Sequence, residues 1–267
     1  LIAEFGYGRA VADKGENGVE GAGRRRMFLM RHGAVDYFDP ALADPGQARL
    51  TNEGRAQVAA AAEALGATRF DIAVHSDLPR ARETADIILA GNAAAPKPEP
   101  VSGLQELKVG WLRAGSREEL AARLAYGFDA AGEPGAALLP GGETFAEAET
   151  RIVAVLTGLL TRRTWRTALI VAHEGVNRIA LGWASRGGLK SIAAFEQDLA
   201  CINVIDADIT PAREAGALQI ERLIIKALNV TPYDYVKHGL SRTSLEHLLD
   251  VDLAGARPAA GDKSEEN

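Results

Sequence analysis

Short apolar runs recur along the chain, separated by longer segments whose apolar residues fall three and four apart. Met27–Met30, Phe70–Val74, Ala168–Ala172 and Cys201–Ala207 have strand length. Runs apolar at nearly every position suit strands covered on both faces. Gln219–Ala227 is a further candidate strand. Between them the helical spacing predicts a helix opening at Thr51–Gly54 and running through Leu65 to a stop near Gly66. A second helix is predicted over Ala81–Ala90, ending at Gly91-Asn92, and Ala93–Pro100 reads as a Pro/Ala connector. Ser116 with Glu119, Thr144 with Glu147 and Thr243 with Glu246 have capping-box spacing. They predict a short helix, a long helix to about Arg162 and a last helix through Leu249. Another helix is expected over Val176–Ser185. Strands alternating with helices predict an α/β fold. The form expected is a three-layer α/β/α sandwich with a mostly parallel central sheet.

The chain has 267 residues, enough to bury a large core in one domain with tails. Residues 1–23, rich in Gly and charge, read as a disordered extension, and 254–267 as a polar tail. Residues 24–253 form the expected domain, with 101–140, weakly periodic, as a lid-like insertion. The net charge is −6, and the one basic cluster, Arg24–Arg26, is read as solvated. That balance disfavours nucleic acid or an anionic membrane as partner. No run is long enough to span a bilayer. The single cysteine, Cys201, lies in an apolar run and is expected to pack as a small hydrophobe, which fits a reducing, cytoplasmic compartment.

Chemistry concentrates where the runs end. Met27–Met30 stops at Arg31-His32-Gly33, and Ala168–Ala172 stops at His173-Glu174. Phe70–Val74 leads into Ser76–Arg80. The C-terminal ends of strands are where open α/β sheets bind ligands. Two histidines and two arginines delivered there suit phosphoryl transfer. An unprotonated imidazole, His32, is a good nucleophile near neutral pH. Arg31 and Arg80 offer guanidinium forks to phosphate oxygens. Gly33 would let backbone approach a phosphate closely. His173 is a candidate second phosphate ligand, contributing positive charge if protonated. Glu106 is the candidate proton donor, since a carboxyl near a phosphate has its pKa raised. Glu143 competes for that role but is better placed to shape its loop. His173-Glu174 fails as a zinc motif, because Asn177 stands where the second histidine is needed. No other cluster has metal-ligand spacing, so neither metal nor cofactor is expected.

These residues also stand in motifs that resemble the histidine phosphatase, or phosphoglycerate mutase-like, superfamily. Arg31-His32-Gly33 matches its opening motif. Leu50-Thr51-Asn52-Glu53-Gly54-Arg55-Ala56-Gln57 matches its Leu-Thr-x-x-Gly-x-x-Gln helix start, and Ser76 through Thr84 its Ser-x-Leu-x-Arg-Ala-x-x-Thr segment. Leu104–Glu106 ahead of Gly110-Trp111 points to the family's acid, and Gly142-Glu143-Thr144 to its Gly-Glu-Ser/Thr loop. Val171 through Arg178 matches Val-x-His-x-Gly-x-x-x-Arg. The six motifs occur in the family's order across roughly residues 27–230. The resemblance implies that His32 carries the phosphoryl group, that Arg31, Arg80 and His173 form the phosphate pocket, and that Glu106 protonates the leaving group. It implies a histidine acid phosphatase-type hydrolase of phosphoric monoesters with no cofactor. Glu174 departs from the family's frequent glycine and places a carboxylate against the anion pocket, among the substrate-binding positions. Few basic residues in 101–140, and no Ser/Glu-x-Trp-Asn pattern after Gly33, favour a phosphatase over the alternative, a mutase-like phosphotransferase. A non-catalytic phosphate-binding regulator is the second alternative. The expected partner is a small phosphorylated substrate, a phosphoprotein included.

Overall fold

The computed structural model describes residues 20–91, 94–110, 119, 123–124, 126–162, 164–214 and 216–249. Most of the expected N-terminal extension, the helix start at Ser116, Trp111 and the C-terminal tail lie outside them. Six strands form one mixed sheet: β1 (Gly23–Arg31), β2 (Ile72–His75), β3 (Glu99–Pro100), β4 (Thr167–Ala172), β5 (Ile202–Pro211) and β6 (Leu218–Val230). Their order is β3-β2-β4-β1-β5-β6. The pairs from β3 to β1 are parallel, and β1–β5 and β5–β6 are antiparallel.

Period-two alternation divides each central strand between two cores. In β4, Ala168, Ile170 and Ala172 join one core, and Leu169 and Val171 the other. The first core takes α3 (Phe145–Arg162) and α4 (Glu174–Ser185) through Phe145, Ile152, Leu156 and Ile179. The second takes α1 (Asn52–Leu65) and α2 (Pro79–Leu89) through Val58, Ala61, Ala85 and Ile88. Helices on both faces make the α/β/α sandwich expected. Among the described residues no helix is long and apolar enough to cross a membrane.

Three local expectations change. Arg24–Arg26 is not a solvated cluster but part of β1. Arg24 and Arg26 pair with Asp208 and Asp206 across the antiparallel neighbour. Arg25 is 1% exposed, donates to the Leu159 and Gly21 carbonyls and stacks 5.1 Å from the Trp165 ring. Within the connector, Glu99-Pro100 pairs with β2 as an edge strand, a position that tolerates a proline. Helix α4 starts at Glu174 instead of Val176, with His173 as its N-cap. Beyond β6 the chain runs back across the 198–201 turn. Lys237 Nζ donates to Asp198, to the Asn229 carbonyl and to Thr231. It then forms α5 (Ser244–Leu249).

Candidate functional site

Parallel pairing in the order β2-β4-β1 brings three strand ends side by side. Arg31 ends β1 and His32 follows it, His75 ends β2 and Ser76 follows it, and His173 follows β4. The ring centroids of His32 and His173 are 5.1 Å apart, in edge-on contact. Arg80 reaches them from the first turn of α2, where backbone donors also favour anions. Glu106 approaches from the loop after β3, its carboxylate accepting from the Leu107 and Gly175 amides at 3.0 and 3.4 Å.

His32 is 2% exposed. Its Nδ1 lies 2.8 Å from the Gly33 carbonyl oxygen, so Nδ1 carries the proton and Nε2 a lone pair. Arg80 Nε donates to Nε2 at 3.3 Å, and the Tyr37 hydroxyl lies 3.5 Å from it. The Arg80 guanidinium stacks over Tyr37 at 5.3 Å. Burial, then Arg80 and Arg31, hold the His32 pKa well below 6.5. Burial, then His32 and the same arginines, do the same for His173. Both shifts favour the neutral imidazole. His173 Nε2 is 2.7 Å from Ser76 Oγ. Burial raises the Glu106 carboxyl above its ordinary range, against the Leu107 amide, which lowers it.

Arg31 lies between a carbonyl and a carboxylate. It donates to the Gln197 carbonyl and pairs with Glu174 Oε2 at 3.2 Å. Its buried Nε has no hydrogen-bond partner. Glu174 also accepts from Arg178 at 2.8 and 3.0 Å and from the Ser244 hydroxyl of α5 at 2.7 Å. Burial alone would raise its pKa, but Arg31, Arg178 and Ser244 hold it low. Both its oxygens are thus engaged by protein.

Gly33 has a packing reason of its own. A Cβ there would come within 2.5 Å of the Gly54 carbonyl and 2.8 Å of Val58. A Cβ on Gly54 would come within 2.2 Å of the Ala34 carbonyl oxygen. The two glycines let the loop after His32 press onto α1. Gln57 accepts from the Ala34 amide at 3.0 Å and Thr84 from the Gly33 amide at 3.3 Å, which fixes that loop. Glu143 stays with its loop. It takes two hydrogen bonds from Arg151, which also donates to the Gly103 and Gln105 carbonyls beside Glu106. Arg82 faces solvent with Asp86.

A cavity of about 470 Å³ opens over these groups. Arg31, Arg80, Glu106, Glu174 and Tyr37 line its inner end, and Arg80 and Tyr37 in turn meet His32 Nε2. Tyr37 and Ser244 are the two site residues that the sequence does not single out. Tyr37 is one aromatic in a polar loop, and Ser244 is 70 residues from the carboxylate it meets. Nothing in their spacing marks either. Among the described residues no group of three or more His, Cys, Asp or Glu side chains is placed to hold a metal.

The family model described as histidine phosphatase superfamily (branch 1) matches residues 27–213. Several solved structures share the fold. Mycobacterial hydrolase 2 is 23% identical over 78% of this chain and 92% of its own, with a TM-score of 0.63. The mycobacterial glucosyl-3-phosphoglycerate phosphatase is 24% identical over 77% and 99%, with a TM-score of 0.59. The alpha-ribazole phosphatase of Shigella flexneri is 22% identical over 77% and 96%, with a TM-score of 0.57. At these identities the likeness establishes the fold. No curated protein matches the chain by sequence.

Proposed function

The chain belongs to the histidine phosphatase superfamily, and from that premise we propose that it is a phosphomonoesterase acting through a phosphohistidine on His32. The observation that carries this reading is the state of His32. Its imidazole is held neutral, its proton is fixed on Nδ1 by Gly33, and its Nε2 lone pair meets Arg80 and Tyr37, which line the cavity. A phosphate engaging Arg80 draws that guanidinium off Nε2 and leaves the lone pair facing phosphorus.

In the first step Nε2 attacks, the N–P bond forms and the P–O ester bond breaks. Glu106 gives its proton to the departing oxygen, a role its raised pKa supports. In the second step Glu106, now a carboxylate, takes a proton from water as the water oxygen attacks phosphorus. The N–P bond breaks, its electron pair returns to Nε2 and phosphate leaves. Arg31 and Arg80 offset charge on the phosphoryl oxygens through both steps. With one proton of the His173–Ser76 pair spent on the bond between them, the pair has one neutral donor left for the same end, and Glu174 positions Arg31. Among the described lining residues Arg31 and Arg80 are the only arginines or lysines, which favours a hydrolase over a mutase that must hold a bisphosphate. Residues 24–253 then form one phosphatase domain.

The test is hydrolysis of p-nitrophenyl phosphate in EDTA by wild type, His32→Ala and Glu106→Gln. Wild type should turn over without metal, and acid-labile label from phosphate ester should appear on His32. His32→Ala should fall to background. Glu106→Gln should lose about 10²–10⁴-fold on an alkyl phosphate. It should lose less on the nitrophenyl ester, whose leaving group departs unprotonated. Turnover that survives His32→Ala would overturn the mechanism.

A further inference from the structure

The cavity changes character along its length. Its inner end holds the charged groups already described. Its outer wall is built by Phe38, Leu78, Val109, Leu124, Leu138 and Leu245, drawn from well-separated parts of the chain. Phe38 is 59% exposed and Val109 50%, and both are among the few large hydrophobic side chains so exposed in the described residues. Large apolar groups converging on one concave surface mark a ligand site more than a chance of packing.

Among the described residues the outer wall offers polar ligands little. Gln105 lines the cavity, but its amide donates to Asp77 at 2.6 Å. Arg31 is already matched by Glu174, so Arg80 and the unpartnered Arg31 Nε serve the phosphoryl group alone. A second anion on the substrate would be desolvated with no cation among the described lining residues to receive it, and a polyol would set hydroxyls against leucines.

We infer that the substrate is a phosphate monoester of an apolar alcohol, alkyl or aryl, whose organic group fills the outer wall. This rests on the phosphomonoesterase reading above and narrows it. The wall then acts as the specificity element, and burial of the organic group, common to ground and transition state, raises kcat/KM.

The experiment is kcat/KM over the n-alkyl phosphates from methyl to hexyl, beside phosphoserine and glucose 6-phosphate. The alcohols of the series have nearly equal basicity, so the slope reads burial and not leaving-group chemistry. The expected slope is about four-fold per methylene until the cavity fills. Phosphoserine and glucose 6-phosphate should fall at least ten-fold below hexyl phosphate. Phe38→Gln and Val109→Gln, both exposed and so tolerable to the fold, should flatten the slope. A flat series with turnover retained, an unchanged slope in both variants, or preference for either polar ester would overturn the inference while leaving the phosphatase reading standing. No turnover of any ester and no label on His32 would remove that reading, and the inference with it.

Discussion

Two buried imidazoles, His32 and His173, stand 5.1 Å apart and both resist protonation. An unfolded histidine titrates near 6.5. Below that pH the unfolded chain binds protons that the native site refuses, so stability falls as pH falls. Glu106, with its raised pKa, acts in the opposite sense, weakening the fold as pH rises through the acidic range above its ordinary value. Thermal midpoints should therefore drop between pH 7 and pH 5.5, and the drop should shrink in the His32→Gln/His173→Gln pair. Equal drops would mean the imidazoles do not stay neutral. Glu174 predicts more directly. Its side chain is 5% exposed between Arg31 and Arg178, at 8% and 5%. Glu174→Ala leaves two buried guanidiniums short of a partner and should cost about 3–5 kcal/mol in urea unfolding. A cost under about 1 kcal/mol, the range of an exposed pair, would mean water or Glu196 replaces it. At this scale the sequence made legible the residues that occur in ordered motifs at strand ends: Arg31, His32, Arg80, Glu106 and His173. Ser244 was not, because long-range packing alone brings it in, and Tyr37 was not, because nothing marks an aromatic in a polar loop five residues past His32.

Elements explain why glycines far from the chemistry matter. Gly54 sits in the first turn of α1, where alanine ordinarily gains about 1 kcal/mol as the better helix former. Here its Cβ would meet the Ala34 backbone at 2.2 Å, and backbone gives way poorly. Gly54→Ala should therefore destabilise by about 1–3 kcal/mol and lower kcat by shifting the loop after His32. Gly158 in α3 has open space where a Cβ would stand, with no neighbour within 4 Å, so Gly158→Ala should stabilise by up to about 1 kcal/mol and leave kcat unchanged. If both substitutions shifted the urea midpoint the same way, the close approach at Gly54 would not be what decides. Helix α1 was readable because Thr51 is a true cap, its hydroxyl accepting from the Gly54 amide at 3.0 Å. The start of α4 was not, because His173 caps it without a side-chain hydrogen bond. Strand β3 was hidden by its two-residue length and its proline.

The whole molecule sets which strand ends share a site. Apolar runs announced most of the strands, but the order β3-β2-β4-β1-β5-β6 rests on pairings between distant segments, which one sequence does not carry. The same holds for the place of residues 231–249, of which the Thr243–Glu246 capping box announced only the short helix. They return from the far edge of the sheet, anchored by Lys237 on Asp198 at 2.7 Å and by the Tyr233 hydroxyl on the Leu199 carbonyl at 2.7 Å. Past that anchor, Ser244 donates to Glu174 through its hydroxyl and to Glu196 at 3.0 Å through its amide, and Leu245 joins the outer wall of the cavity. The segment thus braces the carboxylate that holds Arg31 and completes the surface that meets the organic group. A chain ended after Gly239 keeps the Lys237 anchor and loses the brace. A hydrogen bond to a charged group contributes about 1.5–3 kcal/mol, so the shortened chain should be less stable by roughly that amount. Its KM for hexyl phosphate should rise more than its KM for methyl phosphate, since Leu245 touches the organic group and Arg31 serves both esters. An equal rise for the two esters would assign the segment to Arg31 alone, and unchanged stability would mean that Glu174 is held without it.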